Sequence, residues 1–234
     1  MPAIRPERSS SRIDTCCSCI SPRLPLFSAP TCSARSAFSV SHIFRASSAT
    51  QERHFYQHYF QRRGHVEREL EEDVRRSITG ILYTGSGEAR ADSAKSSFAN
   101  FDKDTRLVDN LVLPERLPAW LSQADLDHFV AQFERSGFRG PINWYRNFDR
   151  NWAMTPFLDG AKILQPVIFA TGSLDVVLKI AAAQYDALET NCPRLVSKHL
   201  IAGGGHWIQQ ERPTEVNELL TRFLTEQVAT GAMA

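Results

Sequence analysis

Two short apolar runs near the C-terminus, each followed closely by an ionisable residue, limit what this chain can fold into more than any other feature. Residues 166–171 (PVIFAT) are rich in β-branched and aromatic side chains and read as a buried strand. Residues 195–201 read as a second strand, and 202–205 as a glycine-rich turn. Between them, residues 178–188 suit a helix that ends before Pro193. After them, Thr214 can cap a last helix with Val216, Leu219, Leu220, Phe223 and Leu224 on one face. Strand, helix, strand, helix implies parallel strands joined by a crossover. Two strands alone do not make a stable covered sheet, so the pattern leads one to expect further strands before them.

Upstream of residue 155 the chain changes character. Val66, Leu70, Val74 and Ile78 recur every four residues among Glu67, Arg68, Glu71, Glu72 and Arg75, which predicts one amphipathic helix with a solvated, charged outer face. Residues 84–120 are rich in Gly, Ser, Asp and Pro and read as a loop. Ser122 followed by Asp125 marks a helix start, Leu126, Phe129, Val130 and Phe133 its buried face, and Gly137 a left-handed C-cap. The whole stretch reads as helical and without strands. Residues 1–50 differ again, with twelve serines, five prolines and six arginines against two acids, Glu7 and Asp14. Such a segment buries too little apolar surface to offset its ordering entropy. The expected division is a disordered or spurious N-terminal segment at 1–50, a helical domain at 51–155 and an α/β part at 156–234.

The bulk properties exclude several classes. A formal net charge of +1 argues against a nucleic-acid surface. No run of 18 apolar residues occurs, so no membrane span is expected. Four of the five cysteines fall within the first 32 residues, and Cys16-Cys17-x-Cys19 has no His or second Cys pair at zinc-site spacing. Neither a metal nor a cofactor is therefore expected. The chain reads as cytoplasmic. Its Arg- and Ser-rich start matches a mitochondrial transit peptide in outline, but Pro22, Pro25 and Pro30 would break the helix such a peptide needs.

The chemistry sits where the strands end. Asp175 follows the first strand and His206 the second, so both emerge at the carboxyl edge where α/β proteins place their ligands. A carboxylate there can hold an imidazole in one tautomer and let it act as a general base. Equally, Asp175 can cap the next helix while His206 packs beside Trp207. The two residues alone leave both readings open.

The flanking residues add a resemblance. Gly204-Gly205-His206-Trp207, then Gln209 and Glu211-Arg212-Pro213-x-Glu215-Val216-Asn217, resemble the histidine motif of the epoxide hydrolases of the α/β-hydrolase fold. Residues 136–147 (SGFRGPINWYRN) resemble the cap segment bearing one lid tyrosine, and residues 55–61 (FYQHYFQ) with the following GHVERELEEDVRR resemble the other. The resemblance covers roughly residues 54–224 and implies a partial α/β-hydrolase fold, a helical cap followed by a C-terminal βαβα segment. It implies Tyr56 and Tyr145 as donors to the epoxide oxygen, His206 as the base and Asp175 as its orienting acid. Gln57, Phe60, Trp144 and Trp207 become candidates to line the substrate site. The partner implied is a small-molecule epoxide, hydrolysed through an alkyl-enzyme ester to a diol.

The departures are as informative. The family's nucleophile sits on a strand-to-helix elbow, G-x-D-x-G or H-x-D-W-G, upstream of the cap. No Gly-x-Asp-x-Gly, Gly-x-Ser-x-Gly or His-Gly pair occurs in this sequence. A truncated, weakly active or inactive enzyme is therefore expected. The alternatives are a non-catalytic fragment or partner-binding remnant, self-associating through uncovered sheet surface, and a haloalkane dehalogenase-like hydrolase. Two cap tyrosines favour an epoxide oxygen over a halide.

Overall fold

The computed structural model describes residues 52–92, 99–229 and 231, and the disorder expected over residues 1–50 lies outside them. The chain begins with β1 (Arg53–Phe55), which leads directly into the helical turn α1 (Tyr56–Tyr59). β1 pairs antiparallel with β2 (Asn100–Asp102), His54 opposite Phe101. A stretch read as free of strands thus contains a short ribbon, too brief for a period-2 pattern to register.

The single helix expected over residues 66–78 is two helices, α2 (His65–Glu71) and α3 (Val74–Thr84). Asp73 breaks it: its backbone is extended, and its side chain accepts a hydrogen bond from the Arg76 amide as an N-cap. The stretch expected to be a loop holds α4 (Gly87–Asp92), β2 and a 3₁₀ turn (Leu107–Asn110). That turn is pinned by Glu69, whose Oε1 accepts from the Val108 amide at 2.8 Å while its Oε2 accepts from the Tyr59 hydroxyl at 2.6 Å. α5 (Gln123–Ser136) starts at Ser122, which caps the Asp125 amide as the sequence suggests. Gly137 ends it with φ of 67° but ψ of −179°, so its positive φ is outside the left-handed helical well. α6 (Arg139–Arg146) and α7 (Phe148–Met154) complete this first lobe. Its core gathers Phe60, Val66, Leu70, Ile78, Phe101, Leu107, Leu126, Val130 and Ile142.

One part of the expected solvated face is buried. Glu67 is 8% exposed and forms a two-pronged ion pair with Arg146. The same guanidinium donates to the Phe60 and Arg62 carbonyls at 2.8 and 3.1 Å, fastening α6 to the end of α1. Burial opposes the Glu67 charge, but the Arg146 hydrogen bonds outweigh it and hold the carboxyl below its ordinary value.

The second lobe keeps the expected order of strand, helical connection, strand and helix, but the first strand, expected to be buried, is half-buried along most of its length. β3 (Val167–Gly172) and β4 (Leu195–Ile201) run parallel, with Gly172 opposite Ile201 and one register shift after Val167. Their connection is three short helices, α8 (Val176–Ile180), α9 (Ala182–Asp186) and α10 (Leu188–Asn191), where one was expected. After β4 come α11 (Ile208–Glu211) and α12 (Pro213–Ala229), the latter burying Val216, Leu219 and Phe223 but leaving Leu224 38% exposed.

A buried carboxylate joins the lobes. Glu211 Oε2 accepts from the Gly87 and Gly205 amides at 2.8 and 3.0 Å, and Oε1 accepts from the Trp207 amide at 3.0 Å. The His206 amide donates to the Gly85 carbonyl at 2.8 Å, and Trp207 Nε1 to the Leu82 carbonyl at 2.8 Å. The backbones meet so closely that a Cβ on Gly205 would lie 2.3 Å from the Gly87 nitrogen.

Two consequences can be measured. Gly205→Ala forces this junction apart and should lower the unfolding free energy by about 3 kcal/mol, with loss of the near-ultraviolet circular dichroism of Trp207; an unchanged denaturation midpoint would contradict the close approach. Arg146→Met leaves Glu67 buried without its cation and should cost about 3–5 kcal/mol in the same experiment. Because the folded pKa of Glu67 is depressed, its contribution is complete above an unfolded value of about 4.3 and is lost as pH falls through the lower folded value. Thermal unfolding of Glu67→Gln should show a shallower stability loss across that acidic window than the parent protein.

Candidate active site

Asp175 is set by the end of β3. Its amide hydrogen-bonds the Gly172 carbonyl at 3.1 Å, and its side chain caps α8 by accepting from the Val177 amide at 2.8 Å. Thr171, at the end of the strand, donates its hydroxyl to Oδ2 at 3.2 Å. The carboxylate is 8% exposed and faces His206, whose Nδ1 lies 3.2 and 3.3 Å from its two oxygens. Burial alone would raise the Asp175 pKa. The His206 hydrogen bond and charge, with the Val177 amide and Thr171 hydroxyl, outweigh it and hold the carboxyl below its ordinary range. The acid is thus ionised at neutral pH.

His206 is positioned by the glycine turn after β4 and by the Glu211 junction. Its side chain is 40% exposed, and its ring meets Trp207 edge-on at 4.7 Å. With Nδ1 on the carboxylate, the opposite nitrogen, Nε2, is the one available to exchange a proton with water or substrate. Asp175 capping a helix and His206 packing on Trp207 both occur together with the acid–imidazole pairing.

The tyrosines come from two helices of the first lobe. Tyr56 opens α1, its amide held by the Ala99 carbonyl at 3.0 Å, and Tyr145 lies near the end of α6. Their rings meet edge-on with centroids 5.6 Å apart. Gln61 ties them further, its Nε2 donating to the carbonyls of Gln57 and Tyr145 at 2.9 and 3.2 Å. Burial, then the neighbouring Tyr145, push the Tyr56 phenol above its ordinary value; the Gln57 hydrogen bond opposes this, and the Asp175 charge adds to it. The last effect puts the acid within electrostatic reach of the phenol.

The remaining candidates fall differently. Gln57 Nε2 donates to the Tyr56 hydroxyl at 2.8 Å. Phe60 is buried, with its ring 5.4 Å from Tyr56 and 5.0 Å from Tyr145. Trp207 anchors the His206 loop on α3 through Leu82. Trp144 is 55% exposed and makes no ring contact with the cluster among the described residues. A surface groove between β4 and α12, lined by Lys198, Glu215 and Arg222 among others, contains none of these residues. Two residues given no role from sequence, Thr171 and Glu211, bear directly on the pair. Thr171 was marked only by its position four residues before Asp175, and Glu211 by its place in the histidine motif, five residues after His206. Among the described residues no cluster of three or more His, Cys, Asp or Glu could hold a metal ion, and no helix is long and apolar enough to cross a membrane.

Comparison with known proteins places this geometry. No protein-family model matches the chain. It is 39% identical to epoxide hydrolase A of Mycobacterium tuberculosis over 213 residues, covering 86% of this chain and 64% of the relative. Among solved structures, an epoxide hydrolase from an endophytic Streptomyces superposes with a TM-score of 0.75 at 36% identity, covering 87% of this chain and 59% of that one. Epoxide hydrolase A from Mycobacterium thermoresistibile gives 0.70 at 36% identity, covering 82% and 58%. The chain spans less than two thirds of the length of each of these relatives. In sequence and in fold, over the part it spans, the chain is similar to epoxide hydrolases of the α/β-hydrolase fold.

Proposed function

We propose that this chain carries the oxygen-binding and water-activating parts of an epoxide hydrolase site. Tyr56 and Tyr145 hold the ring oxygen of a small epoxide and protonate the alkoxide formed when the ring opens. His206, oriented by Asp175, takes a proton from the water that hydrolyses the alkyl ester. The observation that carries this reading is the presence of two paired sets, the phenol rings of Tyr56 and Tyr145 edge-on at 5.6 Å and His206 Nδ1 3.2 Å from the Asp175 carboxylate. The chemistry suits the residues. A phenol raised above its ordinary pKa stays protonated at neutral pH and remains a donor, and Gln57 donates to the Tyr56 oxygen at 2.8 Å. An ionised Asp175 stabilises the imidazolium that forms once His206 accepts a proton.

The ester-forming step has no residue assigned to it. The 234 residues contain no elbow of the form Gly-x-Asp-x-Gly, and loss of a covalent nucleophile typically forfeits several orders of magnitude in rate. The chain acting alone therefore binds epoxides and converts them slowly or not at all.

A second reading, self-association, is favoured by Val196 and Leu200 on β4, each 49% exposed. A concentration-independent monomer by light scattering would remove it. For the first reading, styrene oxide binding followed by Trp207 fluorescence is the direct test. Tyr56→Phe and Tyr145→Phe should each weaken binding about fivefold, the value of one hydrogen bond, and the double variant should weaken it further. Binding indifferent to both substitutions would overturn the assignment of the phenols. Rapid diol formation abolished by His206→Ala would show instead that the chain holds a complete reactive set.

A further inference from the structure

β4 pairs on one side with β3, and among the described residues no strand lies along its other edge. Val196, Lys198 and Leu200 alternate on one face of the strand, and Val196 and Leu200 are each 49% exposed. An edge of this kind offers open amides and carbonyls beside apolar side chains, the template on which another strand pairs.

α12 runs antiparallel to β4 beside that edge. The hollow lined by residues 198–202 takes Glu215 and Glu218 from the helix, and the next one, lined by Val196 and Ser197, takes Phe223 and Glu226. Leu219 and Arg222 border both. Lys198 is already paired with Glu189 at 2.9 Å, whereas Glu215, Glu218 and Arg222 form no ion pair among the described residues.

These charges are ordered, acids at the start of the helix face and a base further on, and the order is self-complementary when turned end for end. About a two-fold axis between Glu218 and Leu219, Glu215 of one copy faces the partner's Arg222, and its Arg222 faces the partner's Glu215. The same axis meets β4 at His199, the middle of the stretch that the two hollows span. Antiparallel β4 strands centred there set Leu200 opposite the partner's Lys198, so each exposed leucine lies against the apolar stem of a lysine. Only His199 meets its own counterpart. A register one residue away, centred on Lys198, would oppose two ammonium groups.

We propose that β4 pairs with β4 of a second copy of this chain, antiparallel about a two-fold axis at His199, with Glu215 and Arg222 forming two reciprocal ion pairs across the α12 helices. This rests on the self-association reading and gives it a surface, an orientation and a register.

The test is sedimentation equilibrium of the full chain over a range of concentrations. The unmodified protein should show a reversible monomer–dimer equilibrium. Arg222→Glu and Glu215→Arg should each weaken the dimer at least about tenfold, because the two-fold axis repeats every like-charge contact. Mixed in equal amounts, the two variants should form a heterodimer about as tight as the parent dimer, since both contacts then join opposite charges. Recovery on mixing is a result that a merely damaged fold does not give. A concentration-independent monomer of the unmodified protein would overturn the proposal and the self-association reading together. A dimer indifferent to both substitutions would remove this surface and leave that reading standing. Dissociation by each substitution that mixing does not repair would overturn the two-fold pairing.

Discussion

The position of His206 depends on one buried carboxylate. Glu211 takes three backbone amides, those of Gly87, Gly205 and Trp207, which come from two lobes of the protein. Each of those amides, buried without a partner, would cost about 1–3 kcal/mol, so a single side chain satisfies a demand the backbone cannot meet by itself. The three amides can converge only if the chains come together almost in contact, which is why glycine occupies both sides. A Cβ at Gly87 would sit 2.1 Å from the Gly203 carbonyl oxygen, and one at Gly172 2.2 Å from that of Gly204. The imidazole is therefore located as much by the start of α4 as by the strand it follows.

An equivalent device fixes the phenols. Arg146 is the sequence neighbour of Tyr145, and its guanidinium reaches the carbonyls of Phe60 and Arg62 just beyond α1 as well as Glu67 on α2. Gln61 adds a bond back to the Tyr145 carbonyl. The separation of the two tyrosines is thus set by hydrogen bonds to main-chain atoms on either side of them, with the edge-on ring contact completing it. Donors held this way need little reorganisation when charge develops on a substrate oxygen, which is the condition for strong electrostatic stabilisation. The tyrosines and the acid–imidazole pair are each held by hydrogen bonds to the main chain around them.

Much of this was legible in the sequence, for identifiable reasons. β3 and β4 were legible from their β-branched and aliphatic residues bounded by turns, although the strands are half-buried and not fully covered, and α5 because Ser122 and the spacing of Leu126 and Val130 state its start and its inner face. The break between α2 and α3 was not, since the apolar spacing of Val66, Leu70, Val74 and Ile78 runs straight through Asp73, and only the capping bond to Arg76 reveals the interruption. Burial of Glu67 was hidden for a related reason: its partner Arg146 lies 79 residues away, and periodicity carries no long-range information. The four catalytic candidates were found through motifs. Trp144 sat in one of those motifs and yet points largely to solvent. The role of Glu211 needed coordinates, because what distinguishes it is the three amides it accepts from distant parts of the chain.

Asp175 shows why two competing explanations of a residue need not exclude each other. As an N-cap it satisfies the Val177 amide, and as the acid of a pair it orients His206. A carboxylate has two oxygens with about four acceptor positions, so both tasks fit, with room for the Thr171 hydroxyl as well. The capping bond and the hydroxyl fix the plane of the group, one on each oxygen, leaving the imidazole nitrogen almost equidistant from both at 3.2 and 3.3 Å. These bonds also offset the penalty of burying the charge, which burial alone would have pushed toward the neutral acid. The contacts that end a strand and begin a helix therefore keep the acid ionised and in place, and pairing with the imidazole demands no further rearrangement of the chain.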